Sequence, residues 1–243
     1  MTKQERKKET RAILEKIDEI STVEDIFWWK NLSNRFSVEN INKEKIRKLK
    51  WENSDVLYSF LGIYLIGVLA YYPDRFHKTK YDILNSDNKK MYSFDRLSKQ
   101  FTEFRELNDN HELKKFIKVY FSIGNTMPIW PGANENRGKS YMFDIPDIYF
   151  NKNQIWTKIL MEIYRNSYLE KVLDGKVMFD GDRQYINNPP FFNFDSTPQF
   201  LESIVDERYP LDARKYLYSK WVERIVGIIQ EREQKLNKWI TGT

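Results

Sequence analysis

The chain has 243 residues, 41% of them hydrophobic and 16% aromatic, which is enough to bury a full core. Its formal net charge of +5, with 31% charged residues, makes the surface moderately basic, so nucleic acid is permitted as a partner but not required. The sequence has no cysteine and only two histidines, which excludes a disulfide framework and a Cys/His zinc site. We therefore expect a cytoplasmic protein without a metal or cofactor.

Residues 1–20 are charged from the third residue onward, so they predict a projecting helix and not a secretory signal. An uncharged apolar stretch follows Asp55, at residues 56–72. It is shorter than the roughly 20 residues of a membrane span, and glycine, serine and tyrosine dilute it. We expect a buried core helix that Asp55 leads into and that Pro73 ends, and no membrane association.

Helical spacing of apolar residues recurs along most of the remaining chain. Amphipathic segments occupy residues 21–36, 39–51, 93–107, 112–123, 153–173 and 211–240. The fourth segment also has strand propensity, but helix is the preferred interpretation. A polar stretch at 77–92 marks a soft internal boundary, and an Asp180-Gly181 turn predicts a hairpin near Val177 to Ile186. The sequence therefore predicts one compact, mainly α-helical domain over residues 1–243, with a long Gly/Pro/Asn loop at 124–150 and at most that small hairpin as sheet.

Within that loop, residues 131–140 read PGANENRGKS, and from Ala133 they satisfy the loose form of a phosphate-binding loop. Such a loop joins a buried strand to a helix so that backbone N–H groups converge on phosphate. Here Pro128 and Pro131 break any preceding strand, and Pro146 limits any following helix. The context therefore argues against a nucleoside-triphosphatase loop.

The same region carries a longer pattern, SIGNTMPIWPGANENRGKSYMFDIPDIYF, which starts at Ser122. It contains an Ile-Gly-Asn, a proline three residues later, an Asn…Arg-Gly element and an Asp-Ile-Pro-Asp turn. In these features it resembles a group of uncharacterised bacterial proteins, over Ser122 to about Ile163. The resemblance implies a shared fold element and carries no known activity.

Polar and aromatic side chains of this loop form the first candidate site, for ligand binding. They are Asn125, Trp130, Asn134, Asn136, Arg137 and Lys139. Amides, two cations and an indole suit a phosphate, a base or another anionic ligand. The alternative is a scaffold, in which glycines supply turns, prolines stiffen the chain and asparagines cap helices.

A short basic segment forms the second candidate site, for nucleic acid. Its cations are Lys43, Lys45, Arg47, Lys48 and Lys50. They stand beside Trp51 and suit a nucleic-acid backbone. The alternative is a helix face that is merely solvated.

The segment RELNDNH contains a third candidate, for catalysis. Arg105 and His111 are spaced as in the Arg…His signature of the HEPN ribonucleases, which the segment resembles. The resemblance implies an all-helical ribonuclease in which both side chains act on an RNA phosphodiester. Glu106 occupies the position of the polar residue that usually follows the arginine, and NDN is typical of a helix end between the pair. The alternative is an exposed histidine without a catalytic role.

Together these features predict an intracellular bacterial accessory protein that binds nucleic acid, a nucleotide or another anionic ligand. The Lys/Asn/Ile-heavy composition and the lack of housekeeping motifs suggest phage defence or counter-defence as its setting. A helical ribonuclease and a protein–protein adaptor whose aromatic helices dock a partner are the alternatives, so enzyme activity stays open. The acidic residues Asp174, Asp180 and Asp182 lie in or beside turn dipeptides and predict no metal site.

Overall fold

The computed structural model describes residues 16–17, 19–32, 37–49, 51, 53–75, 94–128 and 208–242. Of these residues 75% are helical, which confirms the mainly α-helical prediction for the described part of the chain. The helices are α1 Val23–Leu32, α2 Val38–Ile41, α3 Lys43–Lys48, α4 Phe60–Tyr71, α5 Phe94–Gln100, α6 Arg105–Asn108, α7 His111–Val119 and α8 Leu211–Thr241. The strands are β1 Ser54–Val56 and β2 Thr126–Pro128, and short 3₁₀ turns occupy Pro73–Arg75, Phe101–Glu103 and Ile123–Asn125.

Helix α1 begins with a reciprocal cap. The Thr22 hydroxyl accepts from the Asp25 N–H at 3.1 Å, and the Asp25 carboxylate accepts from the Thr22 N–H at 2.8 Å. Burial opposes ionisation of Asp25, but the hydrogen bonds from Ser21 and Thr22 outweigh it and lower the pKa of that carboxyl. Thr22 is therefore the N-cap of α1.

Helix α4 is apolar on every side and is buried along almost its whole length. Its cap is Ser59, whose hydroxyl accepts from the Gly62 N–H at 3.3 Å, and Pro73 follows its end. The prediction that this helix starts directly after Asp55 was wrong. Asp55 lies in β1 instead, where its carboxylate accepts from the next backbone N–H at 2.8 Å. Among the described helices, none has the length and apolar character needed to cross a membrane.

Strands β1 and β2 form a two-stranded antiparallel sheet, with the register Ser54↔Pro128, Asp55↔Met127 and Val56↔Thr126. The sheet joins segments that lie far apart in sequence, and each strand is too short to show the alternation that identifies a strand. This pairing was not predicted. The hairpin predicted near Val177 to Ile186 lies outside the described residues.

The described helices share one aromatic-rich core. Helix α8 packs against α7, α4 and the turn Ile123–Asn125. Its buried stripe consists of Tyr218, Trp221, Val222, Ile225, Val226, Ile229 and Leu236. On the other side of the core, Phe27 of α1 meets Phe60 and Tyr64 of α4 edge to face, with ring centroids 5.6 and 5.3 Å apart. The first and last described helices therefore contribute to the same hydrophobic core.

Two further helix predictions are confirmed and one is refined. Helix α7 confirms helix over strand for the segment 112–123, and α8 confirms the C-terminal helix. The basic segment 39–51 forms two short helices instead of one, because Asn42 between them is buried and donates its amide to the Val38 and Phe121 carbonyls, both at 2.8 Å. The predicted boundary at 77–92 and the predicted helix at 153–173 lie outside the described residues.

Candidate functional site

The turn between α6 and α7 carries the Arg105…His111 pair, and two asparagines fix its shape. The Asn108 carbonyl oxygen accepts from the Tyr64 hydroxyl at 2.7 Å, and its amide donates to the Phe101 carbonyl at 2.6 Å. Asn110 caps α7, because its side-chain oxygen accepts from the Leu113 N–H at 2.8 Å. Asparagine suits these positions since one side chain both donates and accepts.

The same turn is fastened to the neighbouring helices. The Asn110 amide donates to the hydroxyls of Tyr71 in α4 and Ser219 in α8, both at 2.8 Å. The Glu106 N–H donates to the Tyr72 hydroxyl at 3.2 Å. Helices α4 and α8 are therefore both bonded to the segment that joins α6 to α7, which holds the backbone between Arg105 and His111 in position.

The charged side chains around the turn between α6 and α7 are partly neutralised by ion pairs. Lys215 forms an ion pair with Glu106, and its ammonium lies 5.3 Å from the centre of the Tyr71 ring. Arg105 is exposed and has no ion-pair partner within the described residues. An anion that approached the turn would therefore meet Arg105 as its unpaired cation.

Arg105 and His111 are both exposed, and each is the first residue of its own helix. The NDN segment does end a helix, as its sequence indicates, so the two side chains do not share one helical face. No hydrogen bond joins them among the described contacts. Helix α6 and the turn after it lie between the two residues, so the structure does not pre-assemble a catalytic pair.

Two buried tyrosines near the turn are structural. Burial raises the pKa of Tyr64 and of Tyr218 well above the usual range, and neighbouring tyrosines add to the shift. The Tyr218 hydroxyl donates to the Ile63 carbonyl at 3.2 Å, and Tyr64 donates to Asn108. Both phenols therefore stay protonated and act as donors, not as general bases.

Helix α3 presents the predicted basic surface. Lys43, Arg47 and Lys48 are exposed and Lys45 is half-buried, while Ile46 and Leu49 face the core. Arg47 forms a 3.0 Å ion pair with Glu44. The remaining cations Lys43, Lys45 and Lys48 have no ion-pair partner in the described part of the chain. Trp51 is buried, so its indole offers no stacking face, and Lys50 lies outside the described residues.

Asn125, the first residue of the predicted ligand-binding loop, is fully buried, with an exposed fraction of 0%. Its side-chain oxygen accepts from the Tyr58 N–H at 2.8 Å. Its amide donates to the carbonyls of Tyr58 and Tyr120 at 3.1 and 2.9 Å. The side chain therefore ties two backbone segments together and has no surface with which to contact a ligand, unlike the role that the sequence suggested. Trp130, Asn134, Asn136, Arg137 and Lys139 lie outside the described residues.

Sequence reasoning missed the contact that locks this segment against α8. Arg232 donates from Nε to the Gly124 carbonyl at 3.0 Å and from Nη2 to the Thr126 carbonyl at 2.8 Å. A Cβ on Gly124 would overlap the Ile229 carbonyl oxygen and lie 2.8 Å from the Glu233 nitrogen, so only glycine allows this close approach. The close approach to α8 therefore explains why the Ile-Gly-Asn element has glycine at its second position.

A signal for this contact was present in the sequence of α8. Arg214 and Arg232 both fall on the buried stripe, four residues before Tyr218 and four before Leu236. Buried arginines at apolar positions need hydrogen-bond acceptors, so each position indicates a specific polar contact. No family model, no curated protein and no solved structure matches this chain.

Proposed function

We propose that the protein binds nucleic acid through the lysines of α3. The observation that carries the proposal is that three lysines of this one helix have no ion-pair partner within the described residues: Lys43, Lys45 and Lys48. Cations that are not already neutralised can contact phosphates and release the counterions condensed on them, which drives association.

The packing of α3 supports a backbone-directed mode of binding. Ile46 and Leu49 anchor the helix in the core, so its lysines extend from a fixed base. Because Trp51 is buried, this surface supplies charge without a stacking aromatic. Contacts limited to phosphates fix position on a nucleic acid but carry no sequence information. We therefore expect binding with little sequence preference and with strong salt dependence.

The proposal is tested by a triple variant, Lys43→Gln, Lys45→Gln and Lys48→Gln, in fluorescence-anisotropy titrations with short labelled oligonucleotides. Each phosphate contact contributes roughly 0.7 to 0.9 to the slope of log K against log salt concentration. Loss of three contacts should therefore reduce that slope by about 2, and weaken binding several-fold or more at low salt.

A matched control separates this surface from net charge alone. Lys114, Lys115 and Lys235 are already paired with Asp109, Glu112 and Glu231. Changing these three to glutamine alters the net charge equally, from +5 to +2, since 5 − 3 = 2. The control should leave the salt slope nearly unchanged. Equal losses in both triple variants, or a wild-type protein that does not bind, would contradict the proposal.

A second candidate function is RNA cleavage by Arg105 and His111, favoured by the exposure of both side chains on one turn that Asn108 and Asn110 hold in place. An imidazole can transfer protons to and from a phosphodiester, and a guanidinium can stabilise its charge. His111→Ala should lower cleavage of a fluorogenic RNA by about 100-fold or more. His77→Ala, at the other histidine, is the control. Unchanged cleavage in His111→Ala removes this candidate.

A further inference from the structure

Arg214, near the start of α8, is a buried cation whose hydrogen bonds are incomplete. Only 7% of its surface is exposed. Its Nε donates to the Tyr209 carbonyl at 3.0 Å, but Nη1 is shielded from solvent and has no acceptor in the described structure. No carboxylate within the described residues forms an ion pair with it. An anion beside this guanidinium would supply an acceptor for the N–H groups of Nη1.

The guanidinium lies beside the N-terminal end of the helix. Helical side chains tilt toward the helix N-terminus, and Tyr209 precedes the first helical residue, Leu211. The bond from Nε to the Tyr209 carbonyl therefore brings the side chain of Arg214 back to the opening turn.

The backbone of the opening turn is also uncapped. The cap position is held by Pro210, which makes no side-chain cap hydrogen bond. Among the described contacts, the N–H groups of residues 211–213 have no acceptor. Tyr209, Pro210, Leu211 and Asp212 are exposed, so the turn is open to solvent. Within the described residues, this 31-residue helix therefore presents N–H groups without an acceptor and the positive end of its dipole at an exposed turn.

We propose that the opening turn of α8 and Arg214 together bind the phosphate group of a small ligand, either inorganic phosphate or a nucleoside monophosphate. Backbone N–H groups at a helix N-terminus bind phosphate readily, and a guanidinium adds charge-assisted hydrogen bonds to the same oxygens. The Tyr209 backbone contacts the guanidinium and the residue is 40% exposed, so we expect its ring to be within reach of a nucleoside base. The site is separate from the lysines of α3.

Neighbouring charges predict which residues tune the affinity. Asp212 lies in the same turn and is exposed, so its carboxylate repels a bound phosphate. Lys215 is already paired with Glu106 and is less available. Arg214 and the backbone N–H groups of the turn attract a phosphate, and Asp212 opposes that attraction.

The test is a phosphate titration of the full-length protein, followed by amide NMR and by isothermal calorimetry. Phosphate should shift the amide resonances of Leu211, Asp212 and Ala213. Arg214→Met should weaken binding by about tenfold or more, as expected when a charge-assisted hydrogen bond is removed. Asp212→Asn should tighten binding by roughly two- to fivefold, because it removes a charge that interacts with the same helix dipole. Adenosine monophosphate and inorganic phosphate, run in parallel, identify which source binds more tightly.

Lys238→Met, at an exposed cation near the other end of α8, is the matched control and should change the affinity by less than about twofold, since only a distant screened charge is lost. If Arg214→Met does not fold, the amide shifts of the wild type and the affinity of Asp212→Asn still test whether phosphate binds at the opening turn of α8. The proposal is overturned when phosphate shifts none of the three amides, or when Arg214→Met and Lys238→Met bind phosphate equally well.

Discussion

Helix α8 buries an arginine near each end to a similar extent, but the two side chains are hydrogen-bonded differently. Arg232, with 8% of its surface exposed, donates to the Gly124 and Thr126 carbonyls at 3.0 and 2.8 Å. Arg214, with 7% exposed, donates from Nε to one carbonyl and leaves Nη1 without an acceptor in the described structure. Similar burial therefore accompanies two different roles, one in folding and one in binding.

The backbone around Arg232 is closely packed, whereas the backbone around Arg214 is exposed. Near Arg232, the turn Ile123–Asn125 approaches the helix so closely that Gly124 cannot carry a side chain, and Asn125 satisfies three backbone groups. Near Arg214, the opening turn is exposed, and its first N–H groups have no acceptor among the described residues. The C-terminal part of α8 is a closed junction, whereas its N-terminal end is open.

The largest expected effect is at the closed junction, where Gly124→Ala should destabilise the protein by more than about 3 kcal/mol. The added Cβ meets backbone atoms of α8, which cannot move aside as a flexible side chain can. Chemical denaturation followed by circular dichroism measures the change. Gly227→Ala, in the same helix, is the control, since a Cβ there meets nothing within 4 Å and alanine favours helix by about 1 kcal/mol. Equal effects of the two substitutions would contradict the close approach.

Asn125→Ala should cost about 3 kcal/mol, because three buried backbone groups of Tyr58 and Tyr120 lose their partner. The same denaturation measurement applies. Asn40→Ala is the control for the loss of an asparagine, since Asn40 is exposed, and surface substitutions usually shift stability by under ~0.5 kcal/mol. A stable Asn125→Ala protein that had lost affinity for an anion would instead restore the ligand-binding role predicted for Asn125.

The two arginines can be compared directly by substituting each with methionine, which keeps much of the volume and removes the charge. Arg232→Met should lower the free energy of unfolding by about 2 to 3 kcal/mol, because two buried carbonyls lose a charged donor. Arg214→Met should stay within about 1 kcal/mol of wild type or be more stable, since it removes a buried charge that has no counter-charge in the described structure. Similar losses in both variants would mean that Arg214 is also a folding residue.

The sequence predicted helices correctly where apolar residues recur at helical spacing over a long segment. The C-terminal helix and α7 were predicted correctly because their apolar positions recur at helical spacing. The strands were not, because β1 and β2 are three residues each and are stabilised by pairing with distant segments. The start of α4 was misplaced because the local sequence does not show that residues 54–56 pair with the distant β2, which delays the helix to its Ser59 cap.

The candidate site was predictable at the level of charge but not of hydrogen bonding. The lysines of α3 were identified from a simple charge run, and their burial and pairing only refine that prediction. The role of Asn125 depends on Tyr58, which is 67 residues away in sequence. A local pattern cannot distinguish an amide that binds a ligand from one that binds the distant backbone. Arg214 and Arg232 illustrate the same limit, since each occupies an apolar position and only the tertiary contacts separate their roles.

The smallest expected effect on stability is at the middle of α8. An exposed ion pair there shows how much a charge interaction stabilises the protein when it is not buried. Lys220 donates to the Glu223 carboxylate at 2.7 Å, and both side chains are about half exposed. That hydrogen bond and the charge of Lys220 lower the pKa of Glu223, whereas the same bond raises the pKa of Lys220. Because the folded pKa of Glu223 lies below its ordinary value of 4.5, the pair's stabilisation is present above that pH and is lost as the pH falls through the folded value.

Glu223→Gln should therefore melt slightly below wild type at pH 7, and the difference should disappear as the pH falls through the lowered pKa of Glu223, because the wild-type side chain is then also uncharged. Thermal melts at several pH values measure the difference, which should also shrink in high salt because the pair is exposed. Lys220→Gln should show the same acid dependence, since it removes the other partner. A difference that persists unchanged at acidic pH would show that Glu223 acts through packing instead of charge. If Glu223→Gln lowered the free energy of unfolding as much as Arg232→Met does, exposed and buried charges of α8 would contribute equally to stability. The distinction drawn between them along α8 would then be wrong.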